Sequence, residues 1–421
     1  MKTTRLYQND RYVKEWDAEI TSVSQEGENA VVTLDKSAFF PEGGGQSCDL
    51  GMMGKHRVID VQEKDGEVYH TIKAEKADVL PSAGDTVSCA LDWDRRFDNM
   101  QRHCGEHILS GIFFAMFGGV NRGFHMGHDY MTIDISLEAK PEIKEITYED
   151  ALAAELEANK VIWSDAPVTV IHFDSREEAE KMPLRKALAF DEDITIVSVG
   201  ALDNASDCVA CCGTHPSTAG QVGLIKIYKV ENYKGMFRIY FEAGARALGD
   251  YRSKHDVLTS LSNRYSSSID DFPAKLRVQE EKLADAKNEL FRLKKAFMDN
   301  ECTKLDKILG ESGENAEENV EKNVAEENVV VYEVELLSLD DIFNMSKRYM
   351  GNCRKLLMLY SAKDTSYLLV SDGSADCGSL VKEYASFYKG KGGGNKISAR
   401  AIFTTKDDAD MFADLIRKHL R

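Results

Sequence analysis

Residues 95–117, RRFDNMQRHCGEHILSGIFFAMF, place two histidines beside a run of apolar residues at helical spacing. The apolar positions are Ile108, Leu109, Ile112, Phe113 and Met116. Residues three and four apart share one face of a helix, so the pattern predicts a helix that packs on a sheet. His103 and His107 are also four apart. Their imidazoles therefore point to one side, where they can share an ion.

A second histidine-containing motif lies at residues 208–215, CVACCGTH. Cys211 and His215 are again four residues apart, and Gly213 permits a tight turn between them. Three imidazoles and a thiolate form a tetrahedral ligand set of the kind that Zn²⁺ prefers. Cys208 and Cys211 also form a C-x-x-C pair, so Cys208 stays open as the alternative sulfur ligand. The side chain of Cys212 diverges from its neighbour and is not expected to bind the same ion.

The first motif also fits another class of zinc enzyme. Residues 103–107 match H-x-x-E-H, the pattern of inverted zincin peptidases, in which Glu106 would be the general base. Those enzymes take a distant carboxylate as third ligand, whereas this chain offers a Cys/His pair. The peptidase interpretation is therefore the weaker one.

The glycine-rich motif FFPEGGGQ occupies residues 39–46. Gly43, Gly44 and Gly45 permit positive φ angles and close approach of the backbone to another element or a ligand. A tight structural turn is the simpler interpretation, and a ligand loop is the alternative. The motif lies within residues 1–92, where short alternating apolar runs predict strands of a small barrel.

The pattern along the chain predicts an α+β protein with five regions. An N-terminal β-barrel subdomain precedes an α+β sandwich that carries the zinc motifs. A helical hairpin or coiled-coil arm, with leucines at spacings of three, four and seven, follows. An acidic linker then leads to a C-terminal α/β domain. The expected boundaries are 1–92, 93–245, 246–310, 311–328 and 329–421.

Net charge gives mixed information about partners. The 421 residues carry a formal charge of −18, yet basic residues cluster between positions 382 and 400. Residues 389–396, KGKGGGNK, combine lysines with flexible backbone amides and predict a loop that cradles phosphate. No apolar run is long enough to cross a membrane, and the N-terminus lacks a secretory signal. We expect a cytoplasmic protein with reduced cysteines and no membrane partner.

The motifs together resemble a known family. H-x-x-x-H paired with C-x-x-x-H and preceded by FFPEGGGQ is similar to the editing domain shared by alanyl-tRNA synthetases and freestanding AlaX-type trans-editing proteins. Residues 238–244, RIYFEAG, resemble the strand that closes that domain. Residues 330–421 resemble the DHH-associated C-terminal domain that follows the arm in the synthetases. The long AlaX type is the best match.

The resemblance implies an activity and a set of site residues. The chain would hydrolyse, without ATP, the ester of tRNA(Ala) mischarged with serine or glycine. The implied zinc ligands are His103, His107, Cys211 and His215. Gln46 would be catalytic, and Gly43, Gly44, Gly45, Thr132 and Thr214 would bind substrate. The implied tRNA contacts are Arg95, Arg96, Lys389, Lys391, Gly392, Gly393, Gly394 and Lys396.

The sequence departs from the family pattern at two positions. Cys212 and Gly105 stand where the family commonly has glycine and a small hydroxylated or alanine residue, which leaves pocket details open. A non-catalytic, zinc-structured tRNA-binding module is the main alternative to an enzyme. A synthetase fragment is disfavoured because no aminoacylation core precedes the editing motif. The arm or the C-terminal domain is expected to mediate a homodimer.

Overall fold

The computed structural model describes residues 2–73, 80–189, 191–310 and 328–420, apart from the side chain of Asp193. Within it the chain divides into two compact units, Met1–Asn263 and Arg264–Arg421. The acidic linker expected at 311–328 lies outside the described residues, except for Asn328. None of the described helices is long and apolar enough to cross a membrane. The mixture of sheets and helices confirms the expected α+β class.

Short strands dominate the first part of unit 1. Its elements are β1 (Thr4–Arg5), α1 (Leu6–Asn9), β2 (Glu15–Glu26), β3 (Asn29–Leu34), β4 (Lys36–Ser37), β5 (Gly51–Met53), β6 (His56–Lys64), β7 (Glu67–Lys73) and β8 (Thr86–Leu91). Six strands pair in a closed ring in the order β2-β3-β7-β6-β5-β8. Alternate side chains such as Ile20, Val32 and Ile72 fill its interior, as the period of two in a strand requires.

The rest of unit 1 carries both histidine-containing motifs. Its elements are α2 (Trp93–Phe117), β9 (Val120–Met126), β10 (Met131–Ser136), α3 (Tyr148–Trp163), β11 (Val168–Ser175), α4 (Arg176–Ala179), β12 (Glu192–Val199), β13 (Asp207–Ala210), a 3₁₀ helix (Ala219–Val222), β14 (Ile225–Tyr233), β15 (Met236–Ala243) and α5 (Gly244–Tyr265). One sheet has the order β14-β15-β10-β9 and another the order β11-β12-β13. Apolar residues of α2 and α3 pack with both sheets in one core.

Two buried ion pairs hold α2 to its surroundings. Arg96 pairs with Asp49, which lies between β4 and β5, and both side chains are fully buried. Arg102 pairs with Glu242 of β15, with 3.0 Å between Nε and Oε2. Removing one partner of a buried pair leaves an uncompensated charge, so such pairs strongly restrict where the helix can lie. They fix the segment of α2 that carries the two histidines.

Unit 2 contains a five-stranded sheet. Its elements are α6 (Phe272–Gly310), β16 (Val329–Val334), α7 (Leu339–Ser346), β17 (Leu356–Ser361), β18 (Ser366–Val370), α8 (Cys377–Tyr384), a 3₁₀ helix (Ala385–Tyr388), β19 (Lys391–Gly394), β20 (Ser398–Ile402) and α9 (Lys406–His419). The sheet order is β16-β17-β18-β20-β19. The leucines of the predicted coiled-coil seam in α6 are exposed at positions 276, 283 and 290, whereas Phe297 packs on the core of this unit.

The glycine run of the C-terminal region differs from its prediction as a loop. Residues 391–394 form the edge strand β19, which pairs antiparallel with β20. A Cβ on Gly392 would lie 1.9 Å from Arg400 O, and a Cβ on Gly394 would lie 2.2 Å from Ser398 O. These glycines therefore permit a close approach of two strands, and their backbone is engaged in pairing on one side.

Candidate functional site

Four side chains from distant parts of unit 1 converge on one point. The ligand atoms of His103, His107, Cys211 and His215 all lie within 4.8 Å of one another. Helix α2 presents its two histidines on one face, and the segment after β13 presents the cysteine and the third histidine. Cys211 Sγ is 3.3 Å from His103 Nε2 and 3.5 Å from His215 Nε2. We call these four residues the ligand set.

Gln46 orients His103 from the end of the glycine motif. His103 Nδ1 donates a hydrogen bond of 2.9 Å to Gln46 Oε1, which leaves Nε2 facing the centre of the ligand set. The backbone N–H of Thr214 donates to the same oxygen, and Gln46 Nε2 donates to Thr214 Oγ1. Both ends of the amide are thus engaged by protein groups. The positive φ values of Gly44 and Gly45 form the tight turn that brings Gln46 here.

Asp207 orients His107 in the same way. His107 Nδ1 donates a hydrogen bond of 2.9 Å to Asp207 Oδ2. Arg185 donates to the other oxygen of this buried carboxylate. Although burial alone would raise it, the pKa of Asp207 is lowered by His107 and Arg185. A carboxylate behind the imidazole fixes its tautomer and increases its basicity, as is usual for metal-binding histidines.

The donor set fits a zinc ion. The Nδ1 atoms of both α2 histidines are occupied by second partners, so their Nε2 atoms remain for a metal. Burial opposes ionisation of Cys211, yet the neighbouring histidines lower its pKa well below the ordinary value. The thiolate is the form that binds metal. Three imidazoles and one thiolate match the preference of Zn²⁺ for tetrahedral nitrogen and sulfur ligands.

The structure separates the other cysteines of the two motifs from this set. Cys208 is buried in a small apolar cluster with Leu188, Ile194 and Ile196, so the geometry favours Cys211 as the sulfur ligand. Cys104 packs in the main core on another side of α2, as expected. Cys212 is exposed and does not join the ligand set.

A cavity of about 480 Å³ opens at the ligand set. His103, His107 and Cys211 line it together with Gly44, Glu106 and Phe124. Cationic side chains line it too, from positions 5, 122, 185 and 186. A second cavity of about 250 Å³ touches His215, Thr214 and Tyr12. Cys212 contributes to the lining of both cavities.

Glu106, which the peptidase alternative requires as a base, is held by neighbours. Its Oε1 atom accepts hydrogen bonds from Ser110 and Asn121. Its Oε2 atom lies 3.9 Å from His107 Nε2. The ligand set is completed by Cys211 and His215. Inverted zincin peptidases have a distant carboxylate in that place.

The other predicted substrate residues are distributed unevenly. Gly44 lines the larger cavity and Thr214 the smaller one. Gly43 pairs with Gln46 across the turn, and the space that a Cβ on Gly45 would need is taken by Phe124. Thr132 lies on β10 and lines a different cavity with Tyr130 and Tyr240. The structure therefore does not bring Thr132 to the ligand set.

The predicted tRNA contacts near α2 also differ from one another. Arg95 is partly exposed and donates to the backbone oxygen of Cys48. Arg96 is completely buried, and its guanidinium donates to Asp49 and to the backbone oxygens of Ala38 and Arg11. Its hydrogen-bonding capacity is used inside the fold. The expected phosphate contact by Arg96 is therefore corrected to a structural role.

Sequence reasoning missed the residues that support and surround the ligand set. Asp207 carried a usable signal, because a metal-binding histidine commonly needs a carboxylate partner and Asp207 immediately precedes the cysteine motif. No sequence pattern points to the other lining residues, because only the tertiary fold brings them to the cavity. They are Arg122, Phe124, Arg185 and Lys186.

Comparisons with known proteins find relatives that edit or charge alanine tRNA. The family described as tRNA synthetases class II (A) matches residues 7–95, and that described as threonyl and alanyl tRNA synthetase second additional domain matches residues 194–240. An alanyl-tRNA editing protein AlaX-L from Pyrococcus horikoshii is 29% identical over 99% of both chains. An alanyl-tRNA editing protein AlaX-M from Methanosarcina acetivorans is 32% identical over 57% of this chain and 98% of its own length.

The chain also resembles part of a longer enzyme. An alanine–tRNA ligase from Archaeoglobus fulgidus is 28% identical over 99% of this chain. The chain spans only 44% of that ligase. The residues matched to the second additional domain include Cys211 and His215, and those matched to the class II model include the glycine motif.

Proposed function

Because this chain belongs to the AlaX-type family of alanyl-tRNA editing proteins, we propose that it is a trans-editing deacylase of mischarged tRNA(Ala). The reaction is hydrolysis of the ester between a wrongly attached amino acid and the terminal ribose of the tRNA. The amino acid is serine, with glycine as the second substrate. Water attacks the ester carbonyl, the free amino acid leaves, and the tRNA regains its hydroxyl.

The single observation that carries this proposal is the convergence of the ligand set at the wall of a cavity. Three of its members line a space of about 480 Å³, which is large enough for a nucleoside together with an aminoacyl group. The fourth, His215, lines the adjoining smaller cavity. An ester placed where the cavities approach one another would lie against the ligand set.

We propose zinc as the metal held by His103, His107, Cys211 and His215. When bound there, zinc supplies a Lewis acid that orients the substrate and stabilises negative charge as it develops. Gln46 and Asp207 hold the two α2 imidazoles in the orientation that this requires. Hydrolysis of an ester needs less assistance than hydrolysis of an amide. Positioning of substrate and water by the chain therefore supplies much of the rate.

The structure supports a positioning role for Gln46. Both ends of its amide are engaged, by His103, by the backbone of Thr214 and by the hydroxyl of Thr214. A water or substrate would have to displace one of these bonds to donate to Oε1. We propose that Gln46 couples the glycine turn to the ligand set and controls the orientation of His103.

Thr214 is our proposed contact to the seryl hydroxyl. Its Oγ1 atom accepts from Gln46, so its own proton remains to be donated into the smaller cavity. A site built to hydrogen-bond a hydroxyl rejects a substrate that lacks one, because the polar group then stays unpaired. This arrangement would favour serine and spare alanine. Glycine also lacks the hydroxyl and should therefore be hydrolysed more slowly than serine.

A deacylation panel tests the proposal. The purified, zinc-loaded protein is mixed with Ser-, Gly- and Ala-tRNA(Ala), and release of the amino acid is followed. We expect rapid loss of serine, slower loss of glycine and retention of alanine. Intact Ser-tRNA(Ala) at enzyme excess would contradict the proposal. Binding without turnover would favour the alternative of a zinc-structured tRNA-binding module.

The proposal also covers tRNA contacts, self-association and location. We propose that Arg95, Lys389, Lys391, Lys396 and the backbone of Gly392–Gly394 contact the tRNA body. The exposed leucines of α6 and the C-terminal unit are the proposed homodimer surfaces. A cytoplasmic location follows from the proposed substrate, which is made where translation occurs.

A further inference from the structure

The larger cavity is surrounded by cations in an otherwise acidic protein. Among the described residues, Arg5, Arg122, Arg185 and Lys186 line it. Three of these cations have carboxylate partners. Arg5 pairs with Glu63, Arg122 pairs with Glu138, and Arg185 pairs with Asp207.

Lys186 differs from the other three. Its side chain is half-buried, and within the described residues it forms neither a hydrogen bond nor an ion pair. Burial and the adjacent Arg185 lower the pKa of its amine more than the nearby carboxylates of Glu106 and Asp207 raise it. Neither carboxylate forms an ion pair with this amine. An anionic ligand in the cavity would give the half-buried ammonium a direct partner.

Part of the cavity lining is apolar. Phe124 of β9, Ile194 of β12 and Val209 of β13 contribute to its lining. Single-stranded nucleic acid is commonly bound by an aromatic face that stacks on a base and a cation that contacts the backbone. The cavity offers both features next to the ligand set.

We propose that Lys186 binds the phosphodiester group preceding the 3′-terminal nucleoside of the substrate, whose base packs on Phe124. This inference rests on the proposed function, because it assumes that the reacting ester lies at the ligand set. The ester is neutral before water adds, so it cannot compensate an ammonium in the bound state. A phosphodiester is anionic throughout. Lys186 is therefore a substrate-binding residue that positions the ester from one nucleotide away.

A binding experiment tests this assignment without requiring turnover. The probe is deacylated tRNA(Ala), and a short 5′-labelled RNA ending in CCA serves as the minimal probe. The variants are Lys186→Gln and Lys186→Arg, with Lys181→Gln as matched control, because Lys181 is an exposed lysine of the same segment. Zinc content and thermal unfolding of each variant report whether the fold is retained.

Loss of one charged hydrogen bond should weaken binding of both probes to Lys186→Gln by about tenfold. The slope of log affinity against log salt should decrease by about 0.7, the value for one phosphate contact on a single strand. Lys186→Arg should recover most of the affinity, and Lys181→Gln should match the wild type. Unchanged affinity or an unchanged salt slope in Lys186→Gln would overturn the proposal.

A kinetic comparison separates this proposal from the proposed function. Ser-tRNA(Ala) is compared with 3′-seryl-adenosine, which has the ester but no phosphate. Lys186→Gln should raise KM for the tRNA and leave hydrolysis of seryl-adenosine unchanged. An equal loss of kcat on both substrates would place Lys186 at the ester and overturn the assignment. If the wild type hydrolyses neither substrate, the proposed function fails, while the binding experiment still decides the role of Lys186.

Discussion

The ligand set and the strand β19 are both short motifs of unusual composition, but the fold constrains them very differently. His103, His107 and His215 are buried, and each α2 imidazole has a second partner behind it. Residues 391–394 are exposed and lie at the edge of a sheet. Lys389, Lys391 and Lys396 form no ion pair within the described chain.

The difference between the two motifs lies in how firmly the fold holds their side chains. At the ligand set, Gln46 and Asp207 orient the two α2 imidazoles, and the four ligand atoms lie close enough together to meet a single ion. At β19, pairing with β20 fixes the backbone and leaves the lysines to solvent. The buried motif supports a specific reaction, whereas the exposed one supports general attraction for phosphate.

The largest expected effect is at the sulfur ligand. Cys211→Ala removes the thiolate, so we expect loss of zinc and loss of measurable deacylation of Ser-tRNA(Ala). Metal analysis and the deacylation assay check both results. Cys208→Ala is the matched control because Cys208 lies in an apolar cluster instead of the ligand set. A variant lacking Cys211 that kept its zinc and its activity would show that the Cys211 thiolate is not required.

A buried histidine outside the ligand set shows what burial alone does. His70 has both ring nitrogens engaged, by Ser37 and by the backbone of Val32. Burial lowers its pKa from 6.5 to about 4. Between pH 4 and pH 6.5 the unfolded chain therefore binds a proton at His70 more readily than the folded chain does. The stabilisation by neutral His70 is full above pH 6.5 and falls as pH decreases toward 4, by about 3 kcal/mol in total.

Denaturant unfolding of the metal-free protein at several pH values measures this effect. His70→Gln should lack this component, so the difference in stability between wild type and variant should decrease as pH falls from 6.5 to 4. All other ionisable groups are common to the two proteins, so their contributions cancel in the comparison. A difference that does not vary with pH would contradict the assignment to His70.

The partner behind His107 should have an intermediate effect. Asp207→Asn keeps the shape but removes the charge that orients the imidazole. Loss of a group that hydrogen-bonds to a metal-binding histidine typically weakens metal binding by about 10–100-fold. Competition with a zinc chelator measures the affinity, and the circular dichroism spectrum checks the fold. If zinc affinity does not change, the carboxylate does not support the ligand set.

The same contrast explains what could be predicted from the sequence. The spacing of His103, His107, Cys211 and His215 was informative because helix and turn geometry are local. The helical spacing of apolar residues in α2 was informative for the same reason. Strands β9 and β13 carry little pattern, since β9 contains a glycine and lacks alternation while β13 is only four residues long.

The misassigned residues depend on distant partners. Arg96 looked like a surface cation, but Asp49 and two backbone oxygens surround it in the fold. Residues 389–396 looked like a loop, but the missing side chains of Gly392 and Gly394 let β20 approach closely. Lys186 gave no signal, because its position in the cavity arises only from tertiary packing.

The smallest effect is expected at the glycine strand. A Cβ at Gly392 would contact Arg400 O at 1.9 Å, whereas a Cβ at Gly393 meets nothing within 4 Å. Gly392→Ala should therefore destabilise unit 2 by about 1–3 kcal/mol, as overpacking does, and Gly393→Ala should change stability little. Denaturant unfolding compares the two variants. Equal stability would show that β19 is not closely paired. Neither substitution should alter zinc content.

X-ray absorption at the zinc edge of the loaded wild-type protein tests whether the ligand set binds the metal. We expect one sulfur at about 2.3 Å and three nitrogens at about 2.0–2.1 Å from the zinc. The Cys208→Ala variant should keep both its zinc and the sulfur signal. A shell with two sulfurs, or one dominated by oxygen, would contradict the convergence of His103, His107, Cys211 and His215 on a single zinc ion.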